Sequence, residues 1–294
     1  FKAVDDISFE VKDGEVVGFL GPNGAGKSTT MNMITGYIDP TQGQIIVNGV
    51  DVGKRPRKAK KQIGYMPESV PLYEELTVKE FVRYMAELKL VKHKDLKEET
   101  NKLIEEVGLK EVENKLIRNL SRGYKQRVSL AGALIGNPDV IILDEPTVGL
   151  DPKQITEIRD LIKKLGKNHT IILSSHILSE VSQICEKVII INKGKIVVID
   201  TPSNLEEKTK SKNTILVTVE DPNNKMESIK DKLKEADEIK LVKDNKDGTK
   251  QYAIVSDTKV DLRKKLFDIL PKEQIIIFEL KKDESTLEDA FISL

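Results

Sequence analysis

Gly21-Pro22-Asn23-Gly24-Ala25-Gly26-Lys27-Ser28 satisfies G-x-x-x-x-G-K-[ST] in full, between an apolar run and a helical stretch, the context that pattern requires. Glycines let backbone N–H groups turn inward as a nest for phosphate oxygens. A helix starting near Lys27 and running through Ser28 and Thr29 brings its positive dipole end to the same point. Lys27 would supply charge for the β- and γ-phosphates, and Ser28 a hydroxyl for Mg²⁺. Accident produces this pattern in about 1% of chains of such length, so chance is a poor explanation. Val140-Ile141-Ile142-Leu143-Asp144-Glu145 is an apolar strand ending in two carboxylates. Alone, it reads equally as a buried strand meeting solvent. Beside a phosphate loop the acids gain a partner that offsets their burial: Asp144 would hold Mg²⁺ through water, and Glu145 would orient or deprotonate an attacking water. Ser121 and Gly123 open a helix and offer a hydroxyl and free N–H groups, a second anion site; a plain Ser N-cap is the competing explanation.

These residues need elements to position them. Glu15 to Leu20 reads as a strand, Lys27 to Thr35 as a helix stopped by Gly36, and Gln44–Val47 with Val50–Val52 as a hairpin turning at Asn48-Gly49. Ala3 to Glu10 alternates apolar and polar residues. Thr77 and Glu80 form a capping box, with Leu76 and Phe81 as a staple. Phe81, Tyr84, Met85 and Leu88 then recur at helical spacing and are expected to pack mostly inward. A second helix carries Leu96, Leu103, Ile104 and Val107 and closes at Gly108; a third runs from Ser121 to about Ile135. Val140–Leu143, Ile171–Leu173 and Val188–Ile191 are buried-type strands of a parallel sheet, which makes an α/β layout. After Thr201-Pro202 the composition turns Lys/Asp/Glu-dense. From about 211 it reads strand, helix (Met226–Ala236), strand, strand, helix, strand, the ferredoxin-like order. The expected domains are 1–210 and a C-terminal α+β domain over 211–294.

The 294 residues carry 48 basic and 48 acidic side chains, so a strongly basic nucleic-acid-binding surface is not expected. No apolar run approaches the length of a membrane span, and no signal pattern opens the chain. It begins with Phe1 rather than Met, so upstream residues are expected to be missing. A single Cys185 excludes an internal disulfide, fits a reducing compartment, and reads as an inert buried thiol. His93 and His169 match no motif and are read as surface residues. His176, taken alone, is an ordinary polar residue after a strand.

Leu120-Ser121-Arg122-Gly123-Tyr124-Lys125-Gln126 resembles the LSGGQ signature of the ATP-binding cassette (ABC) ATPases. Gly149-Leu150-Asp151 and Ser175-His176 follow the acidic strand in that family's order and spacing. The resemblance covers about residues 1 to 200. It implies a RecA-like P-loop core, an antiparallel β subdomain and an inserted helical subdomain at about 70–137. It further implies ATP and Mg²⁺ as ligands and two copies, a homodimer or pseudo-dimer, joined head to tail around two ATPs. By the same resemblance His176 contacts the γ-phosphate, Asp151 links the two sites, Ser121 and Gly123 complete the partner's site, and Val4 packs against adenine. Three departures stand out: Glu68 occupies the position where the family usually has Gln, Arg122 interrupts the signature, and Phe1 is the only aromatic near the adenine position. Glu68 still offers a carboxylate to Mg²⁺ or water. Arg122 either brings charge near phosphate or faces solvent.

Tyr65-Met66-Pro67-Glu68, the altered signature and a closing Ser285-Thr-Leu-Glu-Asp-Ala-Phe291 resemble the single-cassette subunits of ABC-2-type exporters, including bacterial multidrug, polysaccharide and gliding-motility-associated systems. That resemblance implies an ATPase on the cytoplasmic face of the membrane, bound peripherally to a permease subunit, with no nucleic-acid partner. The alternatives are a soluble ABC ATPase acting on a protein or nucleic-acid assembly, and a low-turnover nucleotide-binding regulator. Val70, Leu72 and Tyr73 have no evident helix to bury them: they either complete the local core or, by resemblance, belong to the groove that receives the permease.

Overall fold

The computed structural model describes residues 2–69, 72–205, 212–221, 225–245, 247–257 and 261–282. Phe1, Val70 and the closing Ser285–Phe291 segment lie outside them. The chain forms two compact units, Phe1–Pro202 and Ser203–Ser293. Among the described residues no helix is long and apolar enough to cross a membrane.

The first unit is an α/β unit on a six-stranded sheet. Its strands are β1 (Val16–Leu20), β4 (Ile63–Met66), β5 (Val140–Leu143), β6 (Thr170–Ser175), β7 (Lys187–Asn192) and β8 (Lys195–Asp200), in the order β4-β5-β6-β1-β7-β8. All neighbours are parallel except β7 and β8. β1, β5 and β6 are buried along their whole length, as continuous apolar runs in a two-faced parallel sheet must be. A separate hairpin, β2 (Ile46–Val47) with β3 (Val50–Asp51), supplies the antiparallel element. Helix α1 (Lys27–Ile34) follows the glycine-rich loop, and α2 (Pro56–Lys61) precedes β4.

α3 (Val78–Leu88), α4 (Leu96–Glu106) and α5 (Arg122–Leu134) form the inserted helical part, and α6 (Pro152–Leu165) joins β5 to β6. The α3 capping box is present: Glu80 N–H donates to Thr77 Oγ1 at 3.2 Å, and Thr77 N–H donates to Glu80 Oε2 at 2.8 Å. Its inward face is Val78, Phe81, Val82 and Ala86, so Tyr84 and Leu88, expected inside, are exposed instead. The stripe that α4 and α5 can cover is narrower than the apolar face of α3. Ala3 to Glu10 forms no strand; Ile7 and Phe9 pack against the sheet core as an irregular segment. His169, expected on the surface, is buried and donates from Nδ1 to the Pro138 carbonyl at 2.8 Å, tying the turn before β5 to the start of β6. Cys185 is buried, and burial pushes its thiol far up, which keeps it protonated.

The second unit is an antiparallel sheet of β9 (Lys212–Glu220), β10 (Ala236–Asp244), β11 (Thr249–Asp257) and β12 (Ile276–Lys282), in the order β10-β11-β9-β12. With helical turns at Met226–Ile229 and Arg263–Ile269, this is the β-α-β-β-α-β arrangement. Its first helix is shorter than the sequence suggests, and Ala236 already belongs to β10. Asp221, buried, accepts the N–H groups of Lys225 and Met226 and the Tyr252 hydroxyl, which fixes the start of that helix.

β1 and β7 are also joined at their entry. Lys187 Nζ donates to Glu15 Oε2 at 2.8 Å, as does the Lys12 N–H at 2.9 Å. Burial pushes the Glu15 carboxyl up, but these two donors outweigh it and hold it below its ordinary value. The stabilisation is therefore present above the ordinary value of 4.5 and is lost as acid drives the pH down through the folded value. Lys187→Ala is expected to cost about 1 kcal/mol at neutral pH, given the partial exposure of the pair. That corresponds to a fall of roughly 2–4 °C in Tm for a unit of this size. The difference from wild type should begin to shrink below pH 4.5 and disappear only once the pH has fallen past the lower, folded value of Glu15, as melts across that acid range would show.

Candidate functional site

Register delivers the site. Leu20 of β1 pairs with Ser175 of β6, Leu143 of β5 pairs with Leu173 of β6, and Met66 of β4 pairs with Leu143. The residues that leave these parallel strands therefore emerge at one end of the sheet. They are Gly21, Asp144 with Glu145, His176 and Glu68, and carboxyl ends of parallel strands are where open α/β sheets bind ligands.

The loop from Gly21 to Gly26 folds tightly over β1. Gly26 has φ +110°, and a Cβ there would sit 2.7 Å from the Ala3 carbonyl oxygen, so only glycine fits. α1 then starts with no side-chain cap and no acid in its first turn. Its leading N–H groups and positive dipole end thus face whatever the loop encloses. Lys27 is 6% exposed. Its Nζ donates to the carbonyl oxygens of Gly21 at 2.7 Å and Pro22 at 3.3 Å, and pairs with Glu145 Oε1 at 3.2 Å.

Glu145 is also 6% exposed and adopts φ +49°, unusual for a residue with a side chain. Its N–H donates to Ser174 Oγ at 2.8 Å, and Ser174 donates onward to Asp144 Oδ1 at 2.5 Å. Ser174 thus pins both acids. Nothing in the sequence marked it beyond a hydroxyl in an apolar strand. The other Glu145 oxygen lies 3.0 Å from His176 Nδ1, and an ionised carboxylate only accepts, so the ring nitrogen donates. The Asp144 charge reaches Tyr65 as well. Burial first, and then that charge, push the Tyr65 hydroxyl up to about 12, and it donates to Asn32 Oδ1.

A cleft of about 470 Å³ opens over these groups, lined by Ala3, Pro22, Asn23, Gly24, Gly26, Lys27, Ser28, Thr29, Glu68, Glu145, Val148 and His176. Gly21 and Ala25 lie beneath it as loop framework, and Val4 packs beside Gly26. Ser121, Gly123 and Asp151 do not line it. Ser121 caps α5 by accepting the Tyr124 N–H at 3.5 Å, Asp151 caps α6 by accepting the Gln154 N–H at 2.9 Å, and the Gln154 side chain lies across Gly123. Arg122 is exposed, and its guanidinium rests on Gly149, where a Cβ would meet it at 2.2 Å. Among the described residues no three His, Cys, Asp or Glu side chains converge as a metal cage. The donors present are a hydroxyl and separate carboxylates, which suits an ion shared with phosphate oxygens.

The family model for ABC transporters matches residues 4–148. The ABC transporter ATP-binding protein YhcH of Bacillus subtilis is 35% identical over 300 residues, covering 99% of this chain and 90% of its own. This chain belongs to the ABC transporter family. The linearmycin resistance ATP-binding protein LnrL of the same organism is 38% identical over 217 residues, covering 74% of this chain and 70% of its own. Among solved structures, a dimeric ATP-binding cassette in a post-hydrolysis state, bound to ADP and Pi, aligns with TM-score 0.62 at 26% identity. It covers 68% of this chain and 90% of that one. The cassette is the ATP-binding, ATP-hydrolysing motor subunit of an ABC transporter, of the kind found on exporters. A second cassette and a membrane permease are the partners such subunits have in general.

Lys27→Ala is expected to weaken ATP binding about 10- to 100-fold, because a charge-assisted contact to phosphate disappears. It also leaves the Glu145 carboxylate buried without its cation, which costs about 3 kcal/mol. Adding Glu145→Gln should restore the melting temperature and leave the nucleotide dissociation constant weak. Calorimetric binding and thermal melts on both variants separate the two roles.

Proposed function

We propose that ATP binds over the loop Gly21–Gly26 with Lys27, Ser28 and Thr29 at its phosphates, and that Glu145 acts on the attacking water. The observation that carries this reading is the buried Lys27–Glu145 pair, reached by His176 from the solvent side, beside an uncapped helix start. A triphosphate offers Lys27 a partner of higher charge than one carboxylate. Lys27 then turns to phosphate, and Glu145 is released to accept a proton from water while His176 keeps it oriented. Ser28, Asp144 and Glu68 are the groups that would hold Mg²⁺, which supplies charge neutralisation at the β- and γ-phosphates when bound. Val4, which packs beside Gly26 next to the cleft, would meet the base.

Ser121 and Gly123, standing outside the cleft, act on the ATP of a second copy, with Asp151 between the two sites. The dimeric solved relative supports this arrangement. The permease meets the helical part. Tyr73 is 52% exposed and stacks edge-on against Tyr84 at 5.4 Å, and Leu88 is 57% exposed one turn further along α3. An amphipathic permease helix laid there would bury this apolar face, with the cassette bound peripherally on the inner face of the membrane.

Glu145→Gln is expected to keep ATP affinity and lose turnover by about 10²–10⁴-fold. The same variant should sediment as a dimer with ATP and as a monomer without it. Turnover close to wild type would move the base role to Glu68. Tyr73→Asp is expected to abolish crosslinking to a co-expressed permease while basal hydrolysis stays within about twofold of wild type, since the residue lies outside the nucleotide cleft and half of it faces solvent. Persistent crosslinking and transport would place docking elsewhere.

A further inference from the structure

The twelve residues from Asp51 to Gln62 contain six basic side chains and one acidic one, in a chain whose formal charge is +0. The remaining chain therefore carries a surplus of five acids, and the positive charge is gathered on one short segment. Lys54, Arg55, Arg57, Lys58, Lys60 and Lys61 are all exposed, while Ala59 alone anchors the helix in the core. Among the described residues, only Lys54 of the six has an ion-pair partner, Asp51 at 3.4 Å.

Helix stability does not account for the arrangement. Lys58, Lys60 and Lys61 in the last turn of α2 suit the helix dipole, but Lys54, Arg55 and Arg57 crowd its positive end, where the first turn holds no acid and Asp51 answers Lys54 alone. The nucleotide cleft does not account for it either, since none of the six lines it. Beside the charges stands an aromatic side chain. A Cβ at Gly36 would fall 3.2 Å from Lys60 Cε, so the Lys60 stem crosses the turn that presents Tyr37, which is 79% exposed. A dense basic segment with an exposed tyrosine at its side has the chemistry of an anionic bilayer surface: charges for the headgroups and an amphipathic ring for the interface.

We propose that this face, α2 with the Gly36–Tyr37 turn, binds the anionic headgroups of the membrane and orients the cassette beneath its permease. The proposal rests on the peripheral membrane placement given above, and supplies a contact independent of the permease. The bilayer is favoured over nucleic acid because a transporter subunit works at a membrane and the chain as a whole has no basic surplus to draw it to a polyanion in solution.

The test is flotation of the purified full chain with vesicles of equal phosphatidylcholine and phosphatidylglycerol, against vesicles of phosphatidylcholine alone. The wild type should float only with the anionic vesicles, and added salt should release it. Arg57→Gln, Lys58→Gln and Lys61→Gln together should weaken that binding on the order of 100-fold, at about fivefold per charge. ATP turnover and Tm of the triple variant should match wild type, because these side chains touch neither cleft nor core. Equal flotation of variant and wild type, or no flotation of wild type, overturns the proposal. So does tighter binding to a DNA duplex than to the vesicles at the same salt. Crosslinking to the permease is read separately: if it survives while flotation fails, the permease reading stands and only the lipid contact falls.

Discussion

A carboxylate held at 6% exposure must have its charge answered, and much of the first unit is arranged around answering that of Glu145. Lys27 approaches it from one side and His176 from the other, while its own N–H is tied to Ser174. Lys27 arrives from beyond β1, and Ser174 and His176 from β6, so the arrangement around the end of β5 exists only if β1, β5 and β6 keep their parallel register. A shift of one residue in any of them would face a side chain the wrong way and leave a buried charge unpaired. Sheet register and site chemistry are in this sense one constraint.

The same interaction explains why the loop carries so little side chain. Lys27 is fed by two loop carbonyls as well as by Glu145, and those carbonyls converge because Gly21 and Gly26 let the backbone pass close to Ile191 and Ala3. Bulk is excluded where charge has to be concentrated. The acidic strand carries the opposite device, one residue in a left-handed conformation that aims its carboxylate into the cleft. The cost of that backbone is met by hydrogen bonds at both of its ends.

Much of this was legible in the residues. The phosphate loop, the strand ending in Asp144-Glu145, the capping box of α3 and the strand order of the second unit all follow from local pattern. What local pattern missed depends on long-range packing. β4 is four residues long and lies at the sheet edge, too short for a period to declare itself. α2 is a polar helix of 6 residues held by Ala59. Tyr84 and Leu88 obey helical spacing yet face outward, since spacing defines a stripe but not the width its neighbours can cover. His169 is buried because a carbonyl from a distant turn meets it, and Ser174 matters through residues 29 and 30 positions away. Ser121, Gly123 and Asp151 could be placed on helix starts from sequence, but within one chain Ser121 and Asp151 cap their own helices and Gly123 lies under Gln154 of the next.

The guanidinium lying on Gly149 brings the signature helix and the turn after β5 into direct contact. A side chain at 149 would push the Arg122 guanidinium, the mobile end of an exposed side chain, out of its place, while the φ of +71° restricts the choice of residue whatever that arginine does. Losing the arginine removes that contact but keeps the left-handed backbone, which opens room for asparagine or aspartate before any other residue.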